Sequence, residues 1–240
     1  MITREYEGLL TGPLGDLQRS VVLCRKCPRL VEFRELKATT ERRASFREWD
    51  YWGAPVPSQG DPDARLLLVG LAPASHGANR TGRMFTGDPT ADFLTKALFR
   101  AGFASQPMSE HCRDGLLLHD AFETAVVRCS PPGDRPTLRE QHECRPFLHR
   151  EIDLLTNLRA VLVFGRVAFD NVLRAMRERT ELKLRYDFKH GGRYHLDDGL
   201  PELFATYHPS PRNTNTGRLT ALQLDAIFES VRAYLAGLPN

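Results

Sequence analysis

The 240-residue chain is 41% hydrophobic and 26% charged, with a net charge of +3. These are ordinary globular fractions, which excludes disordered, collagen-like and coiled-coil chains, and at ~150 residues per domain the length allows one large domain or two small ones. No apolar run approaches the ~18 residues of a membrane helix, and Met1-Ile2-Thr3-Arg4-Glu5-Tyr6-Glu7 lacks the basic-then-apolar order of a signal peptide, so the expectation is a soluble cytoplasmic monomer without membrane attachment.

In chain order, residues 14–37 read as one or two helices carrying Cys24 and Cys27 between them. Residues 45–64 are aromatic and rich in Pro and Gly, hence a long loop. The continuous apolar run over 65–71 predicts a strand buried on both faces. A helix over 90–102 follows, with Phe93, Leu94, Ala97, Leu98 and Ala101 on one stripe. A strand over 124–128 ends at Cys129, and a long helix over 137–157 carries Cys144. Ala160-Val161-Leu162-Val163-Phe164 is another buried strand, closed by Gly165 and followed by a helix over 166–178. The polar excursion 183–200 reads as a hairpin, 203–207 as the last strand and 217–236 as the last helix. Alternating strands and helices predict an α/β fold with three layers, a central and mainly parallel sheet covered on both faces. No repeat or linker divides the chain, so 1–240 reads as one domain.

Of the 33 basic residues 28 are Arg, a bias that suits phosphate contacts but does not by itself name a partner. The five cysteines are an odd number, which argues against a disulfide framework. Cys24 and Cys27 form a C-x-x-C pair followed at once by Pro28, while fourteen residues separate Cys129 from Cys144. Four thiolates suit a [4Fe–4S] cluster or a structural zinc. Zinc sites of this kind show two close pairs, and the second pair here is too open, so spacing favours the cluster. Cys112 is then left as a plain thiol.

Ligands of such sheets bind outside the carboxyl ends of the strands, and three unusual segments fall there: 70–77, 129–134 and 208–213. Gly70-Leu71-Ala72-Pro73-Ala74-Ser75-His76-Gly77 matches neither a dinucleotide fingerprint nor a P-loop. G-x-S-x-G elbows and deaminase H-x-E with P-C-x-x-C are also missing. Small residues and prolines instead suit close backbone approach to a flat ligand, with Phe85 as a stacking face. In His208-Pro209-Ser210-Pro211-Arg212-Asn213, His208 stands at a strand end with no expected helix to cap, placed to stabilise negative charge on a leaving group. Ser210 and Arg212 suit phosphates.

The run Gly70-Leu71-Ala72-Pro73-Ala74 through Gly82-Arg83-Met84-Phe85-Thr86-Gly87-Asp88 resembles the first motif of the uracil-DNA glycosylase superfamily, in particular its fifth, UDGb-type family. His208 to Asn213 and on through Thr216-Gly217-Arg218-Leu219 resembles the second motif, and Thr124-Ala125-Val126-Val127-Arg128-Cys129 with Pro131-Pro132 the middle strand. The resemblance implies a [4Fe–4S] cluster on Cys24, Cys27, Cys129 and Cys144. It implies a pocket of Gly70, Leu71, Ala72, Pro73, Phe85 and Ala125 that takes a damaged base flipped out of DNA, since a stacked base is out of reach. His208 would donate to the departing base, and Ser210, Pro211, Arg212 and Asn213 would press on the DNA backbone. The activity implied is excision of uracil and other deaminated bases in base excision repair.

Leu71 and Ala72 cannot position water as the acidic or amide side chains of other families do, and Ala125 stands where thermophile-type uracil enzymes read the base edge with Asn. Both features are shared by the UDGb type, which the resemblance credits with broader base choice. Asp134 stands where that family more often has Asn, and remains able to bind or activate water. The alternative from another class is a non-catalytic iron–sulfur protein that binds damaged DNA.

Overall fold

The structure, a computed structural model, describes residues 11–180, 185–197 and 199–238. It begins with α1 (Gly12–Val22) and α2 (Pro28–Thr39). Pro28 opens α2 and holds Cys27 extended (φ −111°, ψ 93°), so the chain turns between the helices and leaves Cys24 and Cys27 in the connection. A two-residue strand β1 (Gln59–Gly60) and the wholly buried β2 (Leu66–Gly70) follow. Beyond β2 lie the short α3 (Ala78–Thr81) and α4 (Pro89–Arg100), the latter capped by the Asp88 carboxylate, which accepts from the N–H groups of Thr90 and Ala91. Then come β3 (Ala121–Ala125) and α5 (Leu138–Leu154), which starts in a reciprocal box between Thr137 and Glu140. β4 (Ala160–Phe164), α6 (Arg166–Arg177), β5 (Gly192–Tyr194) and β6 (Glu202–Thr206) complete the sheet. The short α7 (Pro211–Thr214) and α8 (Ala221–Ala236), boxed by Thr220 and Gln223, end it.

The six strands run in the order β1-β3-β2-β4-β6-β5. The inner four are parallel and both edge strands antiparallel. Side chains alternate between two cores. Leu67, Val69, Val161, Val163 and Leu203 face Leu148 of α5 and Phe169 and Val172 of α6. Leu66, Leu68, Leu162, Phe164 and Phe204 face Leu94 and Leu98 of α4 and Phe228 and Val231 of α8. This is the three-layer arrangement expected from the alternation.

One consequence positions the site. β2 and β4 are neighbours, yet the chain leaves β2 toward the α4 face and leaves β4 toward the α6 face. Connections that diverge from adjacent parallel strands open a crevice at the strands' carboxyl ends.

The differences from expectation are local. The strand expected over 124–128 is Ala121–Ala125. Asp120 and Glu123 disguised its start, while Val126 and Val127 leave the strand but stay alongside the first loop, donating to the Gly70 and Leu71 carbonyls at 3.0 Å each. The loop 45–64 contains the edge strand β1, too short for any periodicity to reveal. The expected hairpin over 183–200 contributes the single strand β5, which pairs with β6 instead; residues 181–184 and 198 lie outside the described ones. A turn of helix, α7, does follow His208, because Pro211 at its first position presets the helical φ.

Candidate active site

Gly70 and Ala125 end their strands as register partners. The Phe85 ring rests over Gly70, where a Cβ would stand 2.7 Å from Cζ, and packs edge-on against Phe164 at the end of β4, centroids 5.5 Å apart. Phe85 therefore roofs the crevice between β2 and β4. Its backbone is left-handed (φ 44°), an unfavourable conformation for a bulky residue. A buried network holds it there: Arg83 forks onto Asp114 at 2.7 and 2.6 Å and reaches Thr86 and Ser109, and Ser109 Oγ donates to the Phe85 carbonyl at 3.0 Å. Burial opposes ionisation of Asp114, but Arg83 and three backbone N–H groups keep its carboxyl well below the usual range. Ala125 is buried with Val56, Ala78 and Met84, and Phe85 packs against the same cluster. It forms part of the floor beneath the ring.

Leu71 and Ala72 are half-buried and Pro73 buried. Their loop is tied to the middle segment by Ser75 and Ser130, whose hydroxyls lie 2.8 Å apart. Asp134 is exposed on a turn with positive φ (57°) immediately after Gly133.

His208 emerges from the end of β6 and lines an open pocket of about 790 Å³. Desolvation pulls its pKa down to about 4, so the imidazole is neutral at pH 7. Asn213 donates its side-chain amide to the His208 carbonyl at 2.8 Å, and Gly165 donates its N–H to the Thr206 carbonyl at 2.7 Å, fixing the backbone on both sides. Asn213 thus braces His208 besides lining the pocket. Arg212 is exposed and Ser210 half-buried at the start of α7.

Other pocket residues escaped the sequence reading. Arg166, Lys189, His190, Tyr207 and Arg218 share the wall with His208. The basic and aromatic interleaving of Phe188-Lys189-His190 was the available signal, hidden inside a segment read only as a polar hairpin. Glu123 was missed as well. It is buried on β3, receives the Gln59 amide at 2.8 Å, and burial lifts its carboxyl to about 7.

The cysteines gather beside this rim. Cys27 precedes α2, Cys129 follows β3, Cys144 lies on α5, and all three join one apolar cluster. None of the five cysteines is in a disulfide, and Cys112 is exposed. Burial pushes the Cys129 thiol up to about 11, with Cys24 and Cys27 adding to it; burial pushes Cys144 up to about 12, with Cys129 and Cys24 adding. Cys24 and Cys129 are thus each near enough to feel the other three sulfurs. Among the described residues no three His, Cys, Asp or Glu side chains form a site for a single metal ion. A cluster with one iron for each thiolate spans a wider gap than one ion does. Arg34, 2% exposed, donates to Cys129 Sγ at 2.9 Å, and its buried Nε has no hydrogen-bond partner. A buried cation with a spare donor, hydrogen-bonded to one of the four thiols, fits an anionic, sulfide-bearing group.

The Uracil DNA glycosylase superfamily pattern matches residues 57–232. The chain is 46% identical over 228 residues to the type-5 uracil-DNA glycosylase of Mycobacterium leprae, covering 95% of this chain and 97% of that protein. It is 43% identical to the type-5 protein of Thermus thermophilus (92% and 97% covered) and 41% identical to that of Pyrobaculum aerophilum (92% and 93%). The type-4 uracil-DNA glycosylase of P. aerophilum is more distant, 33% identical over 65% of this chain. With this family pattern over most of its length and these relatives, the chain belongs to the uracil-DNA glycosylase superfamily, among the type-5 proteins.

Proposed function

We propose that this protein is a DNA glycosylase of base excision repair that hydrolyses the N-glycosidic bond of uracil, and of other deaminated bases, after flipping the nucleotide out of DNA. The observation that carries the reading is the pairing of Phe85 over Gly70 with a neutral His208 at the same strand-end rim. The ring offers a face to a flat base. The imidazole, neutral at pH 7, offers it one N–H donor.

In the reaction the C1′–N bond breaks and its electron pair leaves with the base. Charge grows on the base, and a preorganised donor such as His208 is worth most at that moment. Water adds to C1′ of the oxocarbenium-like sugar, and its proton passes to solvent or to the departing base. Leu71 and Ala72 bring no side-chain base to this water, so Asp134 and the loop backbone are the groups left to orient it. Ala125 puts no hydrogen-bonding group under the ring, which favours selection by shape. Ser210, Pro211, Arg212 and Asn213, at the start of α7, are the DNA-facing group.

Cys24, Cys27, Cys129 and Cys144 would hold a [4Fe–4S] cluster, whose role when bound is to tie the α1–α2 connection to the segment after β3. The test is a panel of duplexes carrying uracil, hypoxanthine or xanthine, scored for abasic sites by alkaline cleavage. Abasic product from uracil DNA is expected. A mobility shift without abasic product would instead assign a lesion-binding protein.

A further inference from the structure

His190 lines the pocket but has no part in the chemistry described above. Its ring stacks on Tyr207, centroids 4.6 Å apart and planes 12° from parallel. Its Nδ1 accepts the backbone N–H of Tyr207 at 3.3 Å and lies 3.3 Å from Thr206 Oγ1. A neutral imidazole whose Nδ1 accepts carries its proton on Nε2. That nitrogen has no hydrogen-bond partner among the described residues. Burial, and then Arg218, lower the ring's proton affinity, so the neutral donor form prevails at pH 7.

The surroundings say what this donor meets. The Arg218 guanidinium lies over the Tyr207 ring, 4.2 Å from its centroid, and Lys189 and Arg166 line the same wall. Arg166 has a loose ion pair with Asp170 at 3.7 Å, one turn along α6. Among the described residues, the pocket lining contains no carboxylate. Cations around an oriented N–H, on the rim that carries His208, select an anion with hydrogen-bond acceptors.

We infer that His190, Lys189 and Arg218 form a subsite for one phosphodiester of the DNA backbone next to the flipped nucleotide, with His190 donating Nε2–H to a phosphate oxygen. This rests on the glycosylase reading and adds to it. The cations attract the strand at long range, whereas the stacked imidazole fixes its register. A phosphate held here sets where the sugar of the flipped nucleotide lies relative to His208.

The test scans uracil duplexes in which a neutral methylphosphonate replaces one phosphate at a time on either side of the uridine. Affinity and single-turnover cleavage are measured for the native protein, His190→Ala and His190→Asn. A hydrogen bond to a charged group predicts that one substitution costs the native protein about 10-fold in affinity. His190→Ala should lose a similar factor on natural DNA and little more when that phosphate is neutral. His190→Asn keeps a short acceptor for the Tyr207 N–H but cannot reach the phosphate, so it should match His190→Ala in affinity while keeping the native melting temperature. Independent, multiplying losses at every position would overturn the subsite. So would a His190→Ala protein with native affinity and an altered uracil-to-hypoxanthine ratio, which would place the donor on the base. A native protein that releases no base would sink the glycosylase reading, while the affinity scan still decides the phosphate contact.

Discussion

The Phe85 ring lies so close above Gly70 that a Cβ on Gly70 would stand 2.7 Å from its Cζ. The glycine is therefore a spatial requirement of the stacking face. Gly70→Ala must push the ring away, and displacements of this size cost about 10²-fold in a well-oriented reaction. The expected result is that loss in single-turnover uracil excision, with the native circular dichroism spectrum retained. Native rates in Gly70→Ala would remove Phe85 from the base pocket.

Four cysteines, one of them hydrogen-bonded to the buried Arg34, predict a brown protein with about four irons per chain. Cys112→Ser should keep the colour, because Cys112 is exposed and outside the apolar cluster that holds Cys27, Cys129 and Cys144. Cys129→Ser should lose iron and melt at lower temperature, since its sulfur is buried against Arg34. Stoichiometric zinc without iron in native preparations would overturn the assignment.

Ala125 lies beneath Phe85 and offers the base no hydrogen bond. A site that pairs with a polar group discriminates far better than one that merely has room for it, so Ala125→Asn should raise the uracil-to-hypoxanthine rate ratio by at least about 10-fold. An unchanged ratio of the two single-turnover rates would show that position 125 does not read the base.

The sheet was legible where apolar runs were uninterrupted, as at Leu66–Gly70 and Ala160–Phe164, because strands buried on both faces need no alternation. It was obscured at β3, where Glu123 is buried yet paired with Gln59, a partner 64 residues away that no local pattern announces. Phe85 and His208 were legible because they lie in distinctive motifs. The bracing of Phe85 by Arg83, Asp114 and Ser109 was not, since it depends on a contact across 31 residues. His190 was hidden for the same reason: only the pairing of β5 with β6 brings it onto Tyr207.

Burial holds the His208 pKa at about 4, below the ordinary 6.5. The ring's change of ionisation state is thus confined to the region of about pH 4, so the pH dependence that His208 imposes on kcat/KM, which reports the free enzyme, should fall there and not near 6.5. The unfolded chain takes up this proton below about 6.5 while the folded one does not, so His208 makes stability decline as pH drops from 6.5 toward 4 and contributes no slope above 6.5. His208→Ala should melt with a shallower decline across that window. An acid limb near 6.5, or identical slopes, would contradict a neutral, desolvated imidazole at this position.

His208 is proposed to stabilise the departing base. Removing one preorganised donor to developing negative charge typically slows a reaction by ~10²–10³, and the effect falls on the transition state more than on binding. Single-turnover cleavage of saturating uracil DNA by His208→Ala, with iron content and DNA affinity checked alongside, measures this directly. A loss of that size with near-native affinity is expected; near-native cleavage would remove His208 from the chemical step.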